Sequence, residues 1–139
     1  MSFDWSSYLA LAHKLAERSD EAARRSAIIR AYYAVYILAR SKLEANGVEL
    51  NGEQHRAVWD AYASRSNPGQ NPDPCARLAK DASVLKQNRV RADYKDEYEG
   101  LEKAVQRHLE LADQVLTQLD NLPAVPTRAE VQRAQERRR

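Results

Sequence analysis

The sequence predicts an all-α protein: an antiparallel four- to five-helix bundle with a basic C-terminal tail. Three observations lead there. Only four Gly and five Pro occur in 139 residues, too few for the many turns of a β-sandwich or barrel. Apolar residues recur at helical spacing along most of the chain. Asp, Gly and Pro stand where helices start and stop. A length of 139 residues suits one domain, at about 150 residues each, and needs no disulfide or metal staple.

The first helix is expected over Asp4 to Arg18, where Trp5, Tyr8, Leu9, Ala12, Leu15 and Ala16 share one face. Ser19 or Asp20 can cap a second helix, which Asn46 and Gly47 end. Between Ala27 and Ala39 this helix carries one charge, Arg30. A helix that is apolar all round is normally buried all round. Its four Ala in that stretch let neighbours approach closely. A partner chain on one of its faces would complete the burial.

A short third helix is expected over Gly52 to Arg65, with Val58, Trp59, Ala61 and Tyr62 inward. The Pro, Gly and Asn of Ser66 to Pro74 predict a loop. Asp73 then caps a fourth helix with Pro74 in its first position. That helix should reach about Asn88 or beyond, with Arg89 to Tyr98 as a charged bend. A long fifth helix follows on Tyr98, Leu101, Val105, Leu109, Ala112, Leu116 and Leu119, ended by Pro123 and Pro126. The bundle is therefore placed at 1–122. The tail, 123–139, is flexible or a short helix with too little apolar surface to dock.

The net charge of +2 is unevenly spread. Residues 127–139 hold five Arg against two Glu, which leaves a balance of −1 on the rest. The body is thus no general polyanion binder. One Cys excludes an intrachain disulfide and any multi-cysteine zinc site. No apolar run reaches membrane-spanning length, and no basic-then-apolar leader opens the chain, so the cytoplasm is the expected compartment.

The stretch Phe3 to Arg40, and within it RAYYAVYILAR (Arg30 to Arg40), resembles the HEPN domains, helical proteins of bacteria and archaea. RVRADY (Arg89 to Tyr94) resembles their Arg-rich segment after the fourth helix. The likeness covers roughly residues 3 to 120. It implies a bundle that dimerises through its central helices. It also implies a setting in toxin–antitoxin pairs, phage defence or CRISPR-type systems, where many members are metal-independent endoribonucleases. Their active site is an Arg and a His with four to six residues between them on one helix, met by a second copy across the dimer.

This chain departs from that pattern. Arg30 is present, but the matching His position holds Ile37. His13, His55 and His108 all lie elsewhere. Metal-free RNA cleavage needs a base for the ribose 2′-hydroxyl and an acid for the leaving oxygen, roles that His suits near pH 7. Loss of such help costs roughly 10²–10⁴ in rate.

Arg30 is a phosphate ligand on one reading and a paired structural cation on the other, with Asp93 as a partner. Tyr32, Tyr33 and Tyr36 are packing residues whose hydroxyls need partners. Tyr33 is three residues from Arg30 and so the best placed for stacking or phosphate contact. Arg89, Arg91 and Tyr94 interleave cations with an aromatic, which suits phosphate and base, or form a solvated bend paired to nearby acids. His55 can replace the missing His from another helix, or be a surface residue. His108 falls on the apolar stripe of the fifth helix and is expected to be packed. Cys75, at a helix N-terminus, is where a thiol pKa can fall, but no catalytic arrangement surrounds it.

The expectation is a homodimeric RNA-binding or RNA-processing protein, catalytically divergent, with Arg30, Tyr33, Arg89, Arg91 and Tyr94 on nucleic acid. The alternatives are a metal-independent endoribonuclease using Arg30 and His55, and a non-enzymatic interaction module. A cognate antitoxin or defence-system protein is the expected partner. No cofactor, metal or membrane is expected.

Overall fold

The computed structural model describes residues 2–51, 54–66, 69, 73–122 and 125–137. Among them it is an all-α helical bundle of six helices with no strand. α1 spans Ser7–Ala16, α2 Glu21–Ala45, α3 Gln54–Ser64, α4 Pro74–Tyr94, α5 Leu101–Asn121 and α6 Arg128–Glu136. α2 is the central element and packs on α1, α5, α4 and, least, α3.

α1 begins later than the spacing suggests. Asp4 accepts from the Ser6 amide (3.0 Å) and hydroxyl (2.6 Å), building a turn ahead of the helix instead of capping it. Asp20 is the N-cap of α2 and accepts from Ala23 N at 3.2 Å. Gly47, at φ 77°, ends it. The Val48 amide reaches back to the Leu43 carbonyl at 3.0 Å, the closure that a left-handed residue permits.

α3 is tied to α2 by the Tyr62 hydroxyl, which donates to the Ala39 carbonyl at 2.8 Å. The expected start of α3 at Gly52 and most of the expected loop before Asp73 lie outside the described residues, as do Pro123 and the last two Arg of the tail. Asp73 caps α4 through Ala76 N at 2.8 Å, with Pro74 in the first turn.

α4 differs most from expectation. Arg89 to Tyr94 is not a bend; it is the last turn and a half of the helix. No Gly or Pro interrupts it, Arg89 and Asp93 pair four residues apart at 2.8 Å, and Ala92 is buried. The end is held from outside. Arg25 on α2 donates to the carbonyls of Ala92 (3.0 Å), Lys95 (2.6 Å) and Asp96 (3.0 Å). One guanidinium thus satisfies carbonyls that a helix C-terminus leaves open.

Gly100, at φ 68°, turns the chain into α5. Leu101, Val105, Leu109, Ala112, Val115 and Leu119 face the core from there. The Lys42 ammonium donates to the Leu122 carbonyl beyond the end of α5. The tail is more structured than its composition suggests. Thr127 caps α6 by accepting from Glu130 N at 3.1 Å, Val131 is buried and Val125 joins the main core.

α2 is not covered all round. Ala27, Ile28, Ala31, Tyr32, Ala34, Val35, Tyr36, Ala39 and Leu43 are buried, but Ile29, Tyr33, Ile37 and Arg40 are half-buried and Arg30 is exposed. At 100° per residue these last five fall on one strip of about 100°. No described helix is long and apolar enough to cross a membrane.

Candidate nucleic-acid interface

α2 and α3 bring three tyrosines, a histidine and a tryptophan together. Tyr32 and Tyr33 project from one turn of α2 and Tyr36 from the next, and His55 and Trp59 lie one turn apart on α3. The His55 ring stacks on Tyr36, centroids 4.0 Å apart and planes 14° from parallel. It meets the Tyr33 ring nearly edge-on at 5.8 Å. Its Nδ1 is 2.8 Å from the Tyr32 hydroxyl.

This network assigns the His55 tautomer. Trp59 Nε1 donates to the Tyr32 oxygen at 3.1 Å, and indole nitrogen can only donate. Burial pushes the Tyr32 phenol up to about 12, so it keeps its proton. That proton has His55 Nδ1 as its acceptor. Neutral His55 therefore carries its own proton on Nε2.

Two arginines flank the aromatic group. Arg89 on α4 donates to the Tyr33 hydroxyl at 2.8 Å, lies over that ring at 5.2 Å and pairs with Asp93. Arg40 lies over the Tyr36 ring at 5.6 Å. Gln54 Oε1 accepts from Arg40 at 3.3 Å and from the Tyr36 hydroxyl at 3.4 Å. Arg40 also pairs with Glu44 at 3.7 Å. Both cations are thus ordered on aromatic faces, and each has a carboxylate partner one turn on.

The expected site residues divide into three places. Tyr33, His55 and Arg89 come together. Arg30 lies apart on the α1 side, exposed, its guanidinium over the Tyr8 ring at 5.2 Å. Tyr8 continues into an aromatic group with Phe3 and Trp5. Arg30 makes no ion pair among the described residues, and Asp93 is taken by Arg89. Arg91 points to the opposite side of α4 from Arg89 and lies over Tyr98 at 4.1 Å. Tyr94 stands in solvent, 70 % exposed. The two cations of RVRADY are separated because positions two apart on a helix face different ways.

Sequence reasoning missed Arg40 and Trp59 as members of the group. The signal for Arg40 is its spacing of seven from Tyr33, two turns along one face. His13 lies apart, 3.3 Å from Asp113, and His108 is in the core, so His55 is the imidazole at this surface. Cys75 is buried, and burial with Asp73 nearby pushes its thiol up to about 11, opposite to an activated cysteine. No group of three or more His, Cys, Asp or Glu among the described residues could hold a metal ion.

No protein-family model, no curated protein and no solved structure matches the chain.

Proposed function

We propose that the protein binds single-stranded RNA as a HEPN-like homodimer and does not cut it. The observation that carries the reading is the setting of Tyr33. It is half-buried, held by Arg89 through its hydroxyl, edged by His55 and one turn from the exposed, unpaired-by-acid Arg30. An ordered phenol held by one guanidinium, with a second cation a turn away on the same strip of α2, offers a base a stacking surface and its phosphates cationic contacts.

The tautomer of His55 favours binding over cleavage. In the neutral ring, Nδ1 is taken by Tyr32 and Nε2 is protonated, so no lone pair is left to remove a 2′-hydroxyl proton. The dimer is supported by the half-buried Ile29 and Ile37, one turn before and after Tyr33 on the open strip of α2, apolar surface on which a second copy would meet this one beside Tyr33, so that the RNA surface borders the dimer seam. The toxin–antitoxin or phage-defence setting, with a cognate antitoxin or defence protein as partner, rests on the resemblance of the Arg30–Arg40 and Arg89–Tyr94 segments alone.

The experiment measures affinity for a fluorescent single-stranded RNA, in chelator, with RNA integrity and oligomeric state read on the same samples. Arg30→Ala and Tyr33→Ala should each weaken binding about tenfold, the effect of one charged or stacking contact. The RNA should stay whole, and Ile37→Glu should give monomers. Cleavage that vanishes in His55→Ala would instead establish an endoribonuclease. A second reading, a pure interaction module, draws on the same half-buried Ile29 and Ile37; it would be established if neither Arg30→Ala nor Tyr33→Ala changed RNA affinity while Ile37→Glu abolished assembly.

A further inference from the structure

The outward side of α4 carries three large side chains that stand open: Val84 (43 % exposed), Val90 (38 %) and Tyr94 (70 %). They fall within about 120° of arc at 100° per residue. Next to them, between α4 and α5, lies an open groove of about 440 Å³. Its apolar floor includes Val84 and Leu111, and Arg91, Lys103 and Arg107 rim it. Glu99 is the one acidic residue in that lining. Arg91 is held against Tyr98 at 4.1 Å. This local excess of cations stands on residues 1–126, whose overall balance is −1.

Apolar anchors framed by like charges are half of a complementary pair. The other half is a helix with aliphatic residues along one face and carboxylates beside them. The dimensions agree. Val84 to Tyr94 on α4 and Gly100 to Leu111 on α5 each extend about 15–17 Å at 1.5 Å per residue, the length of about three helical turns. Anchors one or two turns apart on such a helix would reach Val84 and Leu111. A nucleic-acid backbone would gain nothing from those aliphatic side chains.

We propose that the α4–α5 face docks an acidic amphipathic helix of a partner protein. Arg91, Lys103 and Arg107 pair with its carboxylates, and Val84 and Leu111 take its apolar face. This surface is distinct from the Tyr33–His55–Arg89 group and stands whether or not that group binds RNA.

The test uses the full chain and three fluorescent probes. One is an 18-residue helical peptide with Leu on one face and Glu on the other. The second is the same peptide with Lys for Glu, and the third is a single-stranded RNA. The Glu peptide should bind, and the Lys peptide should not. The double variant Lys103→Glu, Arg107→Glu should weaken the Glu peptide at least tenfold, as should Val84→Asp. All three residues lie at the groove surface, and a thermal melt checks that the variants fold. RNA affinity should be unchanged in them. The proposal is overturned if the Glu peptide fails to bind, binds no better than the Lys peptide, or ignores both variants. It is equally overturned if the double variant abolishes RNA binding, which would give the groove to nucleic acid. Failure of the RNA reading shows separately, in Arg30→Ala and Tyr33→Ala.

Discussion

The Tyr32 hydroxyl stands 2.8 Å from His55 Nδ1 and takes a hydrogen bond from Trp59 Nε1 on its other side. One buried phenol thus fixes both the position and the tautomer of the imidazole at the aromatic surface. Nitrogen-15 spectra at pH 8 should show His55 protonated at Nε2 and bare at Nδ1. Tyr32→Phe should lower stability by about 1–3 kcal/mol, because the Trp59 N–H and the imidazole lose their shared partner. A spectrum with the proton on Nδ1 would remove the objection to His55 as a base.

Arg25 should matter as much as a core residue. Its side chain is 17 % exposed, and its contacts with Ala92, Lys95 and Asp96 are charge-assisted bonds to carbonyls at a helix end. Arg25→Ala should cost about 2 kcal/mol, and amide exchange should quicken first around residues 92–98. Arg25→Lys should recover only part of the loss, since an ammonium cannot fork across three carbonyls. Unchanged exchange in that segment would show that the turn holds itself.

The contrast between Arg25 and Asp73 shows what was legible beforehand. Asp73 with Pro74 announces a helix start because cap and helix are neighbours in sequence, and the same holds for Asp20 and Gly47. The cap that ends α4 comes from a residue 67 positions away, so nothing local reports it, and the charged RVRADY read as a bend. The all-α class and the Leu101–Leu119 stripe were legible because periodicity is a local property. The surface group was legible in part. Tyr33, His55 and Arg89 were each visible as residue types, but their meeting depends on how α3 and α4 pack on α2. Arg30 and Tyr33, three residues apart, also proved to face different neighbours, Tyr8 and Arg89.

The Arg89–Asp93 pair bears on affinity. Both side chains are largely covered, 16 % and 26 % exposed, so the carboxylate competes with any phosphate for the guanidinium. Asp93→Asn should raise affinity for single-stranded RNA several-fold at low salt, with a steeper salt dependence. Stability should fall by about 1 kcal/mol, the size of a partly exposed pair. Lower RNA affinity in this variant would mean that Asp93 orients Arg89 more than it opposes the ligand.

His108 predicts an acid limit to stability. It is 1 % exposed, and Asn88 donates to its Nδ1 at 3.1 Å. Burial lowers its pKa from the ordinary 6.5 to about 4, against a smaller opposite effect of the Ile28 carbonyl. The folded state therefore resists a proton that the unfolded chain accepts below pH 6.5. This contribution is fully present above that pH and is lost as the pH falls from 6.5 towards 4. The gap amounts to about 3 kcal/mol. Unfolding midpoints in denaturant should drop across this window, and His108→Gln should flatten the drop while lowering stability throughout. An equally steep drop in the variant would assign the effect to other groups.

Cys75 gives an independent reading of how tightly α3 and α4 close on each other. Its thiol lies among buried residues, 3 % exposed, and burial followed by the charge of Asp73 pushes its pKa to about 11. At pH 8 the thiolate fraction is then roughly a hundredfold below that of a free cysteine near 9, and thiolate is the species that reacts. Alkylation of the native protein should therefore be slower than that of the unfolded chain by more than this factor, because access is blocked as well. As the sole cysteine, Cys75 makes the rate a direct count of openings. It should rise in Tyr62→Phe, which removes the bond to the Ala39 carbonyl, and stay unchanged in Arg30→Ala, on the far side of α2. Native and unfolded rates within tenfold of each other would mean that this part of the core opens far more readily than its burial implies.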